Sequence, residues 1–271
     1  METDKRKAIV KPIVQAAIIM AVFYAVEIAV VWLDVFPDYN MLLGADILLR
    51  IILGTVSLVL LHKYAVRGES KCTVKQLFTN KIPAKTWFVM IPIIIYIILP
   101  FVKLATAYVF TTKVLGLLCL IILQQFATGF YEETAQRGLM MNGLIKLNTN
   151  TVKQRLFTVV IAGTFFGLGH VPNIAFGENP LIQMPSSTLW GMFIAAVYML
   201  SDNLLLVMLL HALSDSTFRI VDGLFGYVRD ASLCHTVDNV RTVIDYVVLP
   251  LTAVLICVFY DKLRKNGRSV L

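Results

Sequence analysis

The sequence predicts an all-α protein of the membrane, built as one domain over residues 1–271 with about eight transmembrane helices. The first observation is composition, since 58% of the residues are hydrophobic and only 15% are charged, with a mean hydropathy of +0.77. Soluble domains carry about 25% charged residues. The second observation is that the apolar residues fall into eight runs separated by polar or proline-containing segments, as transmembrane helices do.

The eight apolar runs define the predicted helices in chain order. Pro92 and Pro100 are expected to bend the third helix, because proline removes a backbone hydrogen bond. Residues 173–188 contain glycine and two prolines and are predicted to form a loop, whereas residues 201–203 are predicted to form a tight turn. The predicted helices cover residues 12–33, 41–62, 87–102, 114–145, 156–170, 189–200, 204–218 and 242–260.

The distribution of positive residues predicts the orientation. An even number of helices places both termini on one side of the membrane, and Lys and Arg are concentrated in the polar segments on that side. Such segments face the cytoplasm. We therefore expect a multi-pass protein of the plasma membrane with cytoplasmic termini. The formal net charge of +7 arises from these flanking segments and does not indicate a nucleic-acid partner.

Charged residues inside the apolar runs are candidate functional groups, because a charge at the bilayer centre costs about 2.5–3.5 kcal/mol on insertion scales. Asp46 and Arg50 lie one helical turn apart and predict an ion pair in the bundle interior. Glu133 and Arg137 have the same spacing. Glu132 points about 100° away from Glu133 on a helix, so the sequence predicts one structural carboxylate and one that is free for chemistry.

Two later runs carry histidines. His170 follows Phe166 at the end of one run, and His211 lies four residues before Asp215 in another. Each has a structural interpretation, since His170 could bond to a backbone carbonyl and His211 could pair with Asp215. Counting residues along the predicted helices places Glu132 nearer the cytoplasmic end of the fourth helix and His170 near the outer end of the fifth. The two side chains can therefore meet only if the fourth helix is long or the fifth is tilted. Three runs that each supply a titratable group nevertheless favour a shared catalytic site.

Three motifs follow one another on these apolar segments. They are Glu132-Glu133-x-x-x-Arg137-Gly138, Phe166-x-x-x-His170 and His211-x-x-x-Asp215. This ordered set resembles the CPBP family of CAAX-protease and bacteriocin-processing intramembrane enzymes, also called the Abi family, over residues of about 114–220. The resemblance implies a helical bundle with an internal polar, water-filled cavity. It also implies a glutamate-dependent endopeptidase that needs no metal and acts on peptides or membrane-anchored proteins.

The resemblance implies a role for each matched residue. Glu132 and His170 would hold and activate a water molecule, and His211 with Asp215 would stabilise the oxyanion. Asp215 departs from the family, which often has asparagine there, and an ionised aspartate cannot donate to an oxyanion. Asp215 is therefore either protonated or serves to orient and charge His211. The supporting residues would be Glu133, Arg137 and Phe166.

Other functions are compatible with the same residues. Glu132, His170 and His211 also form an acceptable zinc ligand set with an open position, although the sequence lacks H-E-x-x-H. A non-catalytic scaffold or immunity protein could retain the cluster as structure, and a transporter could use a buried carboxylate as a proton relay. The substrate could be a leader peptide, a quorum-sensing peptide, a bacteriocin precursor or an anchored protein.

Overall fold

A computed structural model describes residues 2–36, 38–70, 72–105, 112–145, 149–224 and 231–264, and every regular element within these ranges is helical. The α-helices are α1 Glu2–Trp32, α2 Tyr39–Val66, α3 Val74–Thr79, α4 Thr86–Val89, α5 Ile91–Ile98, α6 Thr112–Glu133, α7 Met141–Ile145, α8 Val152–Gly169, α9 Pro180–Ser201, α10 Leu204–Leu224, α11 Ala231–Val243 and α12 Leu249–Arg264. Two 3₁₀ segments, Leu99–Ala105 and Val171–Phe176, and two π-helical segments, Thr134–Met140 and Ile244–Val248, complete the described structure.

The helices confirm the prediction of an all-α membrane protein. Within the described ranges, four helical segments are long and apolar enough to cross a membrane: Ile9–Trp32, Tyr39–Val66, Val152–Phe176 and Ser232–Arg264. Two shorter apolar segments are Ile91–Lys103 and Leu204–Thr217. The predicted number of eight transmembrane helices is therefore not confirmed.

The predicted fourth helix is continuous but changes its winding next to the two glutamates. The α-helix α6 ends at Glu133, a π-helical turn follows over Thr134–Met140, and α7 continues to Ile145. The predicted third helix is instead divided into α4, α5 and a 3₁₀ segment. Pro92 lies in the first turn of α5 and Pro100 in the 3₁₀ segment, so both prolines fall where the winding changes.

The predicted loop over residues 173–188 is wrong in its second half, because residues 180–188 form the first turns of α9. The Asn179 side chain accepts a hydrogen bond from the Leu181 backbone N–H at 3.0 Å, and Pro180 occupies the first turn, where its missing N–H costs nothing. The predicted turn after α9 is confirmed, since Asp202 ends the helix in a left-handed conformation. Residues 231–241, predicted to lie before the last helix, are also helical.

Small residues bring the helices that carry the charged groups close together. On α6, a Cβ at Gly129 would lie 2.8 Å from the Met208 carbonyl oxygen of α10. On α2, a Cβ at Gly54 would lie 2.5 Å from the ring of Phe130. The helix α6 is thus packed closely between α2 and α10. Close approach through small residues is the usual way in which membrane helices associate.

Candidate active site

Glu133 is the most tightly held carboxylate of the site. It is the last residue of α6 and has no exposed surface. Its Oε1 accepts a hydrogen bond from Arg137 Nη1 at 3.0 Å, which confirms the ion pair predicted from their spacing. The same oxygen lies 2.7 Å from Nδ1 of His211 on α10. Because a carboxylate paired with arginine can only accept, Nδ1 of His211 is the donor in this bond.

Glu132 is held less tightly. Its Oε2 is buried and lies 3.8 Å from Nε2 of His211, and, like Glu133 Oε2, it has no hydrogen-bond partner in the described part of the chain. Its other oxygen, Oε1, lies 3.9 Å from Nη1 of Arg50 on α2. The two neighbouring carboxylates therefore contact different nitrogens of one imidazole, and only Glu133 is fixed to it by a hydrogen bond.

Arg50 is a site residue whose contact with Glu132 the sequence reasoning missed. Its pairing with Asp46 was predicted and is confirmed, because Nε donates to both carboxylate oxygens at 2.9 Å. The contact between Arg50 and Glu132 joins residues of two different helices, and no spacing rule within one helix predicts it. The only sequence signal was the presence of a charged residue within an apolar run.

Aromatic side chains surround His211. The ring centroid of Trp190 on α9 lies 4.7 Å from that of His211, and the Phe166 ring lies 5.8 Å away. Asp215 is a third polar neighbour of His211, with Oδ2 at 3.4 Å from Nε2 and a side chain that is 41% exposed. Sequence reasoning had identified Phe166 and Asp215 but not Trp190, which belongs to none of the three motifs.

His170 reaches this region through Phe166. Its Nδ1 donates to the Phe166 carbonyl oxygen at 2.9 Å, which is the backbone bond expected of a structural histidine. That bond leaves Nε2 as the acceptor of the neutral ring. The His170 ring lies 4.7 Å from the Phe166 ring, whose face is also covered by the Arg137 guanidinium at 4.7 Å. Phe166 therefore contacts residues from all three motifs.

Glycines on α8 make this arrangement possible. A Cβ at Gly167 would lie 2.0 Å from the Thr188 hydroxyl of α9, and a Cβ at Gly169 would lie 2.2 Å from the terminal methyl of Met20 on α1. The helix that carries Phe166 and ends at His170 therefore packs directly against its neighbours. His170, His211 and Arg219 are all close enough to Asp215 to interact with it electrostatically.

Some predicted contacts are not observed within the described ranges. No hydrogen bond or ion pair joins Glu132 and His170 there, so their joint hold on a water molecule stays a prediction. In the same ranges, no three His, Cys, Asp or Glu side chains are arranged to hold a metal ion. The alternative zinc set of Glu132, His170 and His211 is thus not assembled in this conformation, and the chelation experiment described below tests zinc dependence.

A cavity of about 430 Å³ lies beside the π-helical segment Thr134–Met140 and α7. Its lining includes Gly138, Asn142 and Tyr198, and does not include Glu132 or either histidine. The polar, water-filled cavity implied at the catalytic residues therefore stays a prediction.

The arrangement can support acid–base chemistry on water. A carboxylate oxygen without a hydrogen-bond partner, next to an imidazole in a buried setting, is suited to accept a proton. Glu133 orients the His211 ring through its bond to Nδ1. A third group that orients the catalytic histidine is a recurring feature of hydrolytic sites.

Comparison with known proteins supports a relationship over the segment that carries the motifs. Residues 112–217 match the family model described as type II CAAX prenyl endopeptidase Rce1-like. The matched range contains all three motifs, which confirms the family resemblance predicted from them. No curated protein and no solved structure was found to match the chain.

Proposed function

We propose that this protein, whose residues 112–217 match the type II CAAX prenyl endopeptidase Rce1-like family model, is an intramembrane endopeptidase that uses Glu132 as its general base. One observation carries the proposal. Both carboxylates have a buried Oε2 without a hydrogen-bond partner in the described structure, but Glu133 is fixed through Oε1 to Arg137 and His211. Glu132 lies 3.8 Å from His211 and 3.9 Å from Arg50, beyond hydrogen-bond distance, so it is the carboxylate that remains available for chemistry. Buried acceptors are rarely left unsatisfied, and those that are often serve catalysis or bind water.

In the proposed reaction, Glu132 takes a proton from a water molecule as the water oxygen attacks the scissile carbonyl carbon. The carbonyl π electrons move to oxygen and give a tetrahedral oxyanion. On collapse, the C–N bond breaks and the protonated Glu132 returns its proton to the leaving amine. General acid–base assistance of this kind contributes about 10²–10⁴-fold in rate. His170, whose Nε2 is free to accept, would help to hold the attacking water.

His211 is suited to stabilise the oxyanion. Its Nδ1–H is committed to Glu133, so donation from Nε2 requires the imidazolium form. Glu133 at Nδ1 and Asp215 near Nε2 both stabilise that positive charge. The 3.4 Å separation of Asp215 from Nε2 supports a role in orienting and charging His211, which is the second of the two roles considered for an aspartate at this position.

The family name supplies the first substrate to test. The family description names a CAAX prenyl endopeptidase, and we propose a lipid-anchored or hydrophobic peptide as the substrate class here. Bacteriocin precursors, leader peptides and quorum-sensing peptides are the other candidate substrates to test.

Cleavage of a prenylated CAAX peptide by the purified protein tests the proposal, with wild type compared to Glu132→Ala in the presence and absence of a strong chelator. Activity that is lost in Glu132→Ala and kept in chelator supports the glutamate mechanism. Activity that disappears in chelator and returns with zinc supports a zinc-dependent metalloprotease instead. Cellular function that persists in Glu132→Ala without any cleavage supports a non-catalytic scaffold or immunity protein.

A further inference from the structure

Arg50 lies at the centre of a charged cluster formed by three helices. Its Nη2 lies 3.7 Å from Glu27 Oε1 of α1, its Nε donates to Asp46 on α2, and its Nη1 lies 3.9 Å from Glu132 Oε1 of α6. Each nitrogen of the guanidinium therefore faces a carboxylate from a different helix. A planar guanidinium presents N–H donors in fixed directions and can pair with three carboxylates at once. A lysine ammonium on its flexible stem does this less well.

Hydrogen bonds and an aromatic contact hold the guanidinium in place. Asp46 binds Nε through both carboxylate oxygens, and Asp46 in turn accepts a hydrogen bond from Gln124 Nε2 at 2.7 Å. The face of the guanidinium lies over the Phe23 ring, 4.4 Å from its centroid. Arg50 is 8% exposed, so water competes little for these contacts.

The backbones of α2 and α6 are also brought together one turn from Arg50. A Cβ at Gly54 would lie 2.5 Å from the Phe130 ring and 3.2 Å from the Cα of Tyr131, the residue before Glu132. Direct packing of α2 against α6 therefore brings Arg50 and Glu132 within reach of each other.

We propose that Arg50 is a positioning residue for Glu132, which holds Oε1 by charge and thereby turns Oε2 toward His211. The 3.9 Å separation is that of an ion pair and is too long for a hydrogen bond, so the carboxylate is oriented without being consumed as an acceptor. The α2 helix, which lies outside the segment matched by the family model, thus contributes to the site. The catalytic part of this inference rests on the proposed function, whereas the contact itself does not.

The test compares Arg50→Gln with Arg155→Gln. Arg155 is a matched control, because it is also buried, also donates to both oxygens of an aspartate, Asp261, and also lies 4.4 Å from an aromatic ring, that of Tyr260, without contact to Glu132. We expect Arg50→Gln to lower kcat at least about tenfold with KM within about threefold, because a misplacement near 1 Å can cost 10²-fold. We expect Arg155→Gln to keep kcat when both proteins are assayed folded. A milder variant, Gln124→Leu, keeps every charge of the cluster and should lower kcat in the same direction.

A second measurement reads the contact without cleavage. A hydrophobic carbodiimide modifies the neutral form of a carboxyl group, and a nearby cation stabilises the ionised form. Labelling of Glu132, located by mass spectrometry, should be several-fold faster in Arg50→Gln than in wild type and unchanged in Arg155→Gln.

If wild type cleaves no peptide, the proposed function fails, and labelling alone decides the role of Arg50. A folded Arg50→Gln protein with wild-type kcat or wild-type labelling overturns the proposal, as does an equal change in Arg155→Gln.

Discussion

Glu133 Oε1 lies 2.7 Å from His211 Nδ1, and this contact joins the first and third motifs across 78 residues of sequence. Because the same oxygen also accepts from Arg137, one carboxylate fixes both a buried arginine and the orientation of a buried imidazole. Glu132, one residue earlier, faces the opposite nitrogen of the same ring. The contact explains how two adjacent glutamates can have separate functions.

Breaking the Glu133–Arg137 pair should destabilise the protein. Both side chains are buried, and removing one partner of a buried pair typically costs about 3–5 kcal/mol, since it leaves an uncompensated charge. We expect Arg137→Met to lose stability of this size in chemical unfolding of the protein in detergent. The double variant Glu133→Gln, Arg137→Met removes both charges and should recover part of the loss. Equal stability of wild type and Arg137→Met would show that the pair contributes nothing.

The residue type at position 215 separates two roles of Asp215. Asparagine fills the same space but carries no charge to stabilise the His211 imidazolium, so we expect Asp215→Asn to lower kcat at least about tenfold. Asp215→Leu can neither hydrogen-bond nor support the His211 charge, and should lower kcat by about 10²-fold or more. Peptide cleavage by the three proteins gives the comparison. An asparagine variant with wild-type kcat would contradict the charging role and favour direct donation to the oxyanion at this position.

Packing of α8 on α9 should be sensitive to a single added methyl group. In Gly167→Ala, the new Cβ would lie 2.0 Å from the Thr188 hydroxyl and 2.6 Å from the Met184 carbonyl oxygen, so one helix must move. Overpacking of this kind costs about 1–3 kcal/mol, and it should also lower activity, because Phe166 and His170 lie on the same helix.

Gly44→Ala is the control for that substitution. Gly44 lies in α2, and a Cβ there has no heavy atom within 4 Å, so the variant should be as stable as wild type or slightly more stable because alanine favours the helix. Thermal unfolding of both variants checks the prediction. Equal midpoints for the two variants would show that α8 and α9 can separate at little cost.

Local rules predicted the contacts within single helices. The pairs Asp46–Arg50 and Glu133–Arg137 follow from a spacing of four residues, and both are present. The contacts of Glu132 with Arg50 and of Glu133 with His211 join different helices. These contacts depend on which helices are neighbours in the bundle. The apolar runs have similar compositions, so the sequence does not show which of them pack together.

Two errors in the predicted helix boundaries come from prolines and from a change in helix winding. Residues 180–188 were assigned to a loop because of Pro180 and Pro185, yet Pro180 is accommodated in the first turn of α9 and Pro185 lies within that helix. Neighbouring groups can satisfy the backbone carbonyls that such a proline frees in a membrane helix. The π-helical turn after Glu133 was not predicted either, since its longer hydrogen-bond spacing leaves no distinct residue pattern.

The orientation of the chain is a further prediction. The positions of Lys and Arg predict that residue 271 lies on the cytoplasmic side. A fluorescent protein that folds only in the cytoplasm should therefore be fluorescent when it is fused after residue 271. An alkaline phosphatase at the same position, which needs an oxidising compartment, should be inactive. The reverse pattern would place the C-terminus outside and contradict the predicted orientation.

The turnover number of Glu132→Gln tests the central claim most directly. Glutamine keeps the size of the side chain but cannot take a proton from water, so kcat on a cleavable peptide should fall by about 10²–10⁴-fold in a folded protein. Glu178→Gln, at an exposed glutamate outside the site, is the control and should match wild type. Cleavage by Glu132→Gln at the wild-type rate would contradict the assignment of Glu132 as the general base.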